Sequence, residues 1–273
     1  MVRSEPHSQT LFWLVPLNDG AIAVLNHPGN QYLVSLLPEP NLEQTVGIEI
    51  GFHVGSASRN TLATLGRSGA DIVVEGTSIS RIQCSFEISE EFGSVLLYDR
   101  SNSQSTQALG EDAIPFEPGR IRRIAVTRYV NTFIGMGGAG SDLVQFELKW
   151  HQPKLNPKNL VDSRVLDNPR LARTIDETPT IAPSRRITRI HTPRDREQKT
   201  RWAKQFELGS GRFGRVLSTI DVDKGRIMAV KVIQRPTSDF EQNLWISLKR
   251  EIEALAHLSH VSLPDPSHPV GYD

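Results

Sequence analysis

The chain has 273 residues, 38% hydrophobic and 23% charged, a length that suits one or two domains at ~100–200 residues each. Its 31 basic and 31 acidic residues cancel, which argues against a dedicated nucleic-acid or membrane binder. A single Cys excludes an internal disulfide or a Cys-based zinc site and fits a reducing compartment, and the closest His pair, His257 and His260, has no ligand partner at metal spacing.

From the N-terminus, the run Leu11-Phe12-Trp13-Leu14-Val15 is cut by Pro16 and is far too short to span a bilayer. No signal peptide is apparent, so the expectation is a soluble intracellular protein. Residues 1–45 read as an N-terminal extension that is partly strand: Ala21-Ile22-Ala23-Val24-Leu25 is a candidate added strand, and Pro38 and Pro40 lead into the core. Residues 46–150 carry short apolar or alternating runs at Val46–Ile50, Ile72–Val74, Cys84–Ile88, Val95–Tyr98, Ile121–Val126 and Val144–Leu148, separated by Gly, Ser, Asn and Asp. Alternation places Cys84, Phe86 and Ile88 on one face. Many short strands and almost no helical period predict a mainly β fold, a β-sandwich.

Residues 151–200 change character. Six prolines and eleven Lys/Arg against six Asp/Glu, with few large apolar residues, predict a disordered basic linker. Its run Ser184-Arg185-Arg186-Ile187-Thr188-Arg189 reads as a solvated tether, with nuclear import or anion binding as the alternative. Residues 202–273 form a third pattern: two β-like runs flank a Gly-rich turn, and Leu244, Leu248, Ile252, Leu255 and Leu258 then recur at helical spacing.

Three motifs in the β region bear on function: Leu65-Gly66-Arg67-Ser68 at a strand end, Ser78-Ile79-Ser80-Arg81-Ile82-Gln83 before the Cys84 strand, and Tyr98-Asp99 followed by a polar loop through Ser103, Gln104, Ser105 and Thr106 to Gly110. Their order resembles the forkhead-associated (FHA) family, an 11-stranded β-sandwich that binds phosphothreonine peptides through loops at one end. The resemblance implies that Arg67 holds the phosphate, Ser80 hydrogen-bonds it and Arg81 adds charge. It also implies that Gly66 lets the backbone turn, and that Ser103 and Gln104 lie on the peptide-contacting loop. A phosphothreonine carries about −1.5 to −2 charge and three strong acceptor oxygens, which an Arg fork and a hydroxyl match. Asp99, Thr106 and Gly110 keep the family's spacing. The motif His is Gln83 here, the peptide-gripping Asn is Gln104, and its following Gly is Ser105. The family's His is structural, so Gln83 is expected to alter loop bracing, and Gln104 is one methylene longer than the Asn it replaces. The alternative is a sandwich whose site has decayed.

In the third region Gly209-Ser210-Gly211-Arg212-Phe213-Gly214-Arg215-Val216 fits G-x-G-x-x-G-x-V, Ala229-Val230-Lys231 follows with its Lys 17 residues beyond Gly214, and Arg250-Glu251-Ile252 opens a helical turn. Together these resemble the N-terminal lobe of a eukaryotic Ser/Thr protein kinase, an antiparallel sheet plus one helix. An FHA domain before a kinase is similar to the checkpoint-kinase arrangement. The resemblance implies that Gly209, Gly211 and Gly214 lie over ATP phosphates, that Phe213 caps the loop tip, and that Val216 and Ala229 line the adenine slot. It further implies that Lys231 reaches the α/β-phosphates and pairs with Glu251, with Glu253 as the other possible partner. No His-Arg-Asp, Asp-Phe-Gly or Ala-Pro-Glu follows; Asp239-Phe240-Glu241 lacks the Gly and precedes the helix. The expectation is therefore a truncated lobe without Mg²⁺ ligands, in which ATP binding is weak or absent and which is inactive as this chain.

Two main functions follow: a phosphothreonine-dependent signalling adaptor, or a Ser/Thr kinase whose C-lobe is missing from this chain. A bare structural sandwich is the third reading. The expected partner is a phosphothreonine-containing protein, with no membrane and no direct nucleic acid. Self-association through a phosphorylated Thr174 or Thr178 in the linker is a further expectation, and the family resemblance with the basic linker favours the nucleus.

Overall fold

The computed structural model describes residues 2–38, 45–56, 58–89, 93–110, 113, 122–138, 142–151, 161, 201–211, 214–233, 246, 249 and 250. The fold is mainly β. By contact it groups into two units: Met1–Phe206 with Ser218–Ala229, and Glu207–Leu217 with Val230–Asp273.

In the first unit, strands β1 (Thr10–Pro16), β2 (Val34–Leu36), β3 (Val46–Gly51), β8 (Gln107–Leu109), β10 (Phe133–Gly137) and β11 (Leu143–Trp150) form a six-stranded sheet in the order β2-β3-β1-β11-β10-β8. Strands β4 (Thr61–Gly66), β5 (Ile72–Val73), β6 (Cys84–Ile88), β7 (Val95–Asp99) and β9 (Arg123–Ala125) form a five-stranded sheet in the order β5-β4-β6-β7-β9. Pairing is antiparallel except between β4 and β5.

The sheets face each other across one apolar core. Phe12, Leu14, Ile48 and Phe146 meet Leu65, Cys84, Phe86 and Leu97 there, and the Phe12 and Phe86 rings sit edge to face at 5.2 Å between centroids. Cys84, Phe86 and Ile88 are all buried in that core, as the alternation of their strand requires. Burial pushes the Cys84 thiol far up, and the nearby Asp99 charge pushes it the same way.

Two N-terminal features depart from the period argument or extend it. Ala21–Leu25 lies in helix α1 (Asp19–Asn26), not in a strand. Asn18 caps the helix, its Oδ1 accepting from Ala21 N–H at 3.0 Å, Asp19 occupies the first turn, and Ala21 and Val24, three apart, are the buried pair. A five-residue apolar run does not distinguish strand from helix; the cap ahead of it does. The run Leu11–Val15 lies in β1, which pairs with β3 on one side and β11 on the other, so this early segment sits inside the sheet.

Behind it lies a buried polar cluster. Glu49 is fully buried and accepts from Thr10 Oγ1 at 2.6 Å and from the His7 amide at 3.1 Å, with Arg3 at 3.0 Å and His53 Nε2 at 3.3 Å. Burial alone would raise its pKa, but the bonds from His53, Ser35, Thr10 and the His7 amide outweigh it and hold the carboxylate at about 2.

Strands β12 (Trp202–Gly211), β13 (Gly214–Asp221) and β14 (Arg226–Val232) form a three-stranded sheet in that order. The β13–β14 turn is set by Asp221, whose Oδ1 accepts from the Asp223 and Lys224 amides at 3.0 and 3.1 Å, and by Gly225 at φ +56°. Ile246, Lys249 and Arg250 are helical. Among the described residues no helix is long and apolar enough to cross a membrane, and no group of three His, Cys, Asp or Glu side chains is placed to hold a metal ion.

Candidate functional site

Gly66 ends β4, and its side-chain space is taken by backbone: a Cβ there would lie 2.2 Å from the Arg81 carbonyl oxygen. That close approach lets the next two residues pair with the facing loop. Arg67 N–H donates to the Ser80 carbonyl at 3.0 Å and Ser68 N–H to the Arg81 carbonyl at 3.3 Å. The first two sequence motifs are thus joined by backbone, with the Arg67 and Arg81 side chains exposed. Among the described residues neither guanidinium has an ion-pair partner, and the Ser80 hydroxyl has no hydrogen-bond partner.

The third motif is tied to the second by Gln83. Its fully buried side chain accepts from the Ser80 amide through Oε1 at 2.8 Å and donates through Nε2 to Thr106 Oγ1 at 2.8 Å and Ser105 Oγ at 3.0 Å. Its own backbone bonds Leu65 O at 2.7 Å and the Arg100 amide at 2.9 Å. One residue therefore links the end of β4, the Ser80 loop and the 100–106 loop. Gln fits because each end of the amide meets a group of opposite hydrogen-bonding character.

Two further braces had no bracing role assigned from the sequence. Buried Asp71 closes the loop that carries Arg67: one carboxylate oxygen accepts from Ser56 Oγ at 2.6 Å, Thr64 Oγ1 at 2.7 Å and Thr64 N–H at 2.8 Å. Asp99, which sequence reading noted only for its spacing, accepts from the Ser101 amide and hydroxyl at 2.9 and 2.6 Å and forms a buried ion pair with Arg122. Arg122 reaches Thr106 O at 3.4 Å. Burial depresses the Arg122 pKa, and the Asp99 charge works against that. A short polar residue in a turn, such as Asp71 in Ser-Gly-Ala-Asp, was the available signal.

Ser103 and Gln104 lie exposed on the 101–106 turn. Ser103 Oγ lies 2.9 Å from Ser105 Oγ, and the Gln104 amide donates to Ser101 O at 3.3 Å. Gln104 adopts φ +55°, a left-handed conformation unusual for a residue with a long side chain.

In the second unit the glycines separate by role. Gly214 has φ +132°, and a Cβ there would sit 2.1 Å from the Val232 carbonyl, so both backbone conformation and packing require glycine. At Gly209 a Cβ would meet nothing within 4 Å. Gly211 ends β12 and Val216 lies on β13. Lys231 is exposed on β14, where the strand's period also exposes Ala229 and Ile227. Phe213, Glu251 and Glu253 lie outside the described residues, as do Thr174, Thr178 and residues 162–200.

No family model matches the chain. Over 63 residues, 23% of this chain, it is 40% identical to the MAP kinase kinase kinase SSK2 of Saccharomyces cerevisiae, of which the match covers 4%. The similarity extends to a short segment of a much longer kinase, and a segment of this chain is accordingly kinase-like.

Proposed function

We propose that the loop end formed by Gly66, Arg67, Ser80, Arg81, Ser103 and Gln104 is a phosphothreonine reader of the FHA type, attached to a kinase-like segment in a signalling adaptor. The observation that carries this reading is the bracing of three loops through Gln83, with two exposed guanidiniums and a hydroxyl on the loops so held. Among the described residues the two facing sheets hold eleven strands, two of them (β1 and β2) from the segment read as an N-terminal extension, and that number suits the family's 11-stranded architecture. The substitution of Gln83 for the family's His keeps a buried acceptor and donor between the loops, which favours a maintained site over a decayed one.

The test is titration of the chain with phosphothreonine peptides and their unphosphorylated counterparts. Phosphate-dependent binding that falls at least roughly tenfold in Arg67→Ala supports the reader; equal affinity for both peptide forms in a folded chain rejects it. A neighbouring chain phosphorylated at Thr174 or Thr178 is a proposed partner, and equal masses of phosphorylated and unphosphorylated protein by light scattering reject that. Nuclear residence is proposed on the basic linker.

The second reading, phosphoryl transfer by a kinase whose C-lobe is absent from this sequence, is favoured by the kinase-like segment. Gly209, with no internal steric reason to be glycine, suits a backbone that a nucleotide phosphate approaches. Gly211, Gly214, Val216, Ala229 and Lys231, carried by β12, β13 and β14, are the other proposed ATP contacts. A longer transcript reading into a His-Arg-Asp motif would decide for this reading.

A further inference from the structure

Strand β9 is the edge of the five-stranded sheet, paired with β7 through Leu96↔Ala125, Leu97↔Ile124 and Tyr98↔Arg123. An edge strand presents backbone N–H and C=O groups that need a partner. Here Ala125 N–H, turned away from β7, donates to the Val222 carbonyl at 3.0 Å, and Asn131 Nδ2 donates to both Ala125 O at 2.8 Å and Val222 O at 3.1 Å. Asn131 is buried and held at φ +56°. Its Oδ1 accepts from Arg201 Nη2 at 3.0 Å, while the same guanidinium grips Asp223, with Nε 3.1 Å from Oδ2. Arg123 adds a contact at the turn, Nε to Lys224 O at 3.4 Å.

Side chains follow the same division. Val95, Leu97, Ile124 and Val126 point into the main core. Leu96 and Ala125 point to the opposite face, where they are buried with Ile220 and Val222 in a separate cluster, against Tyr98, Val130 and Ala203. The continuous apolar run Val95-Leu96-Leu97 is the pattern of a strand covered on both faces, and 218–229 is the segment that covers the second one.

We propose that residues 218–229 are an intramolecular edge cap of the β-sandwich: this stretch binds the outward Ala125 amide at the β9 edge and shields Leu96 and Ala125, so it is a structural part of the sandwich unit. The occupant is this chain's own Asp221–Gly225 turn with the residues of 218–229 on either side of it. The backbone bond from Ala125 N–H to the Val222 carbonyl and the Asn131 side-chain bond to the same oxygen set the position, and the Arg201–Asn131 bond holds it.

The test is residue-resolved amide hydrogen exchange on the full chain. The Ala125 amide is expected to be protected in the parent protein. In Val222→Asp, which puts a charge into the small cluster, that protection is expected to fall at least roughly tenfold, while Leu65 and Phe86 amides in β4 and β6 are unchanged. Equal Ala125 exchange in parent and variant overturns the proposal. Should Val222→Asp also strip Leu65 and Phe86, Arg201→Gln decides, since it removes the bond to Asn131 and keeps the apolar contact. Selective weakening at Ala125 then supports the cap and no change overturns it. Ala125 protection that rises with protein concentration overturns the intramolecular form, because the cap would come from a second copy.

Discussion

Replacing Gln83 by Leu tests whether one buried amide organises the loop end. The substitution keeps side-chain bulk but deletes the acceptor for the Ser80 amide and the donor to Thr106 and Ser105. A typical intramolecular hydrogen bond contributes about 1 kcal/mol net, and stranding a buried polar group costs about 1–3 kcal/mol. Thr106 is fully buried and Ser80 only partly so. The Thr106 hydroxyl therefore loses the Gln83 side-chain donor while it still donates to the Gln83 carbonyl at 3.4 Å, and the Ser80 amide is partly rescued by water. The expected cost is about 2–4 kcal/mol, a fall in Tm of roughly 5–10 °C for a unit of this size. Exchange should accelerate at the Ser80 amide before it does at Phe86 in the core strand. Gln83→His, whose neutral ring offers one acceptor and one N–H, should recover at least about half of the loss. A Gln83→Leu protein melting within about 2 °C of the parent, with Ser80 exchange unchanged, would refute the bracing argument.

Acid should destabilise the protein in two windows. The pKa of His7 is lowered, by burial first and then by the stacked His53, and burial likewise lowers His151. The unfolded chain therefore takes up protons at these positions first, and stability declines as pH falls through about 6.5. Glu49, held at about 2 against an ordinary 4.5, contributes stability that is complete above 4.5 and lost toward 2, worth ~3 kcal/mol; urea titrations across pH should show both slopes, with the lower one absent in Glu49→Gln. Cys84 should resist alkylation in the native state and react at the rate of global unfolding, which mass spectrometry in graded urea can follow. Gly214→Ala should cost about 1–3 kcal/mol through its backbone conformation, while Gly209→Ala should leave the melting temperature unchanged and, on the kinase-like reading, weaken nucleotide binding measured by calorimetry.

What could be read from the sequence was local, and what could not be read was mostly contact across long separations. Two-residue alternation identified Cys84, Phe86 and Ile88 as one core face because burial on a strand has that period. The same reasoning stalled at Ala21–Leu25, where the Asn18 cap decides for helix. At the loop end the motifs located Gly66, Arg67, Ser80 and Arg81, but the residues that fix their geometry are silent in a linear pattern. Asp71 looks like an ordinary turn residue, Asp99 belonged to the third motif by its spacing but with no structural role attached, and Arg122 becomes meaningful only once β9 lies beside β7. Gln83 stood out only as a departure from a familiar motif, and its function as a double-ended brace depends on where Thr106 falls.

The strongest case is Leu96. In the sequence the run Val95-Leu96-Leu97 allows a strand covered on both faces, but nothing nearby says what covers the face that carries Leu96. Its partners, Ile220 and Val222, lie more than a hundred residues on, in a stretch that local reading assigns to the Gly-rich hairpin. A surface that should be wet on a lone sandwich carries Leu96 and Ala125, and the hairpin turn that covers them brings Asp223 to Arg201 and, through Arg201, to Asn131. An exposed edge amide and an exposed Leu would both favour association with other chains. Meeting both needs with one turn of the same chain gives residues 218–229 a structural role that does not require them to bind nucleotide.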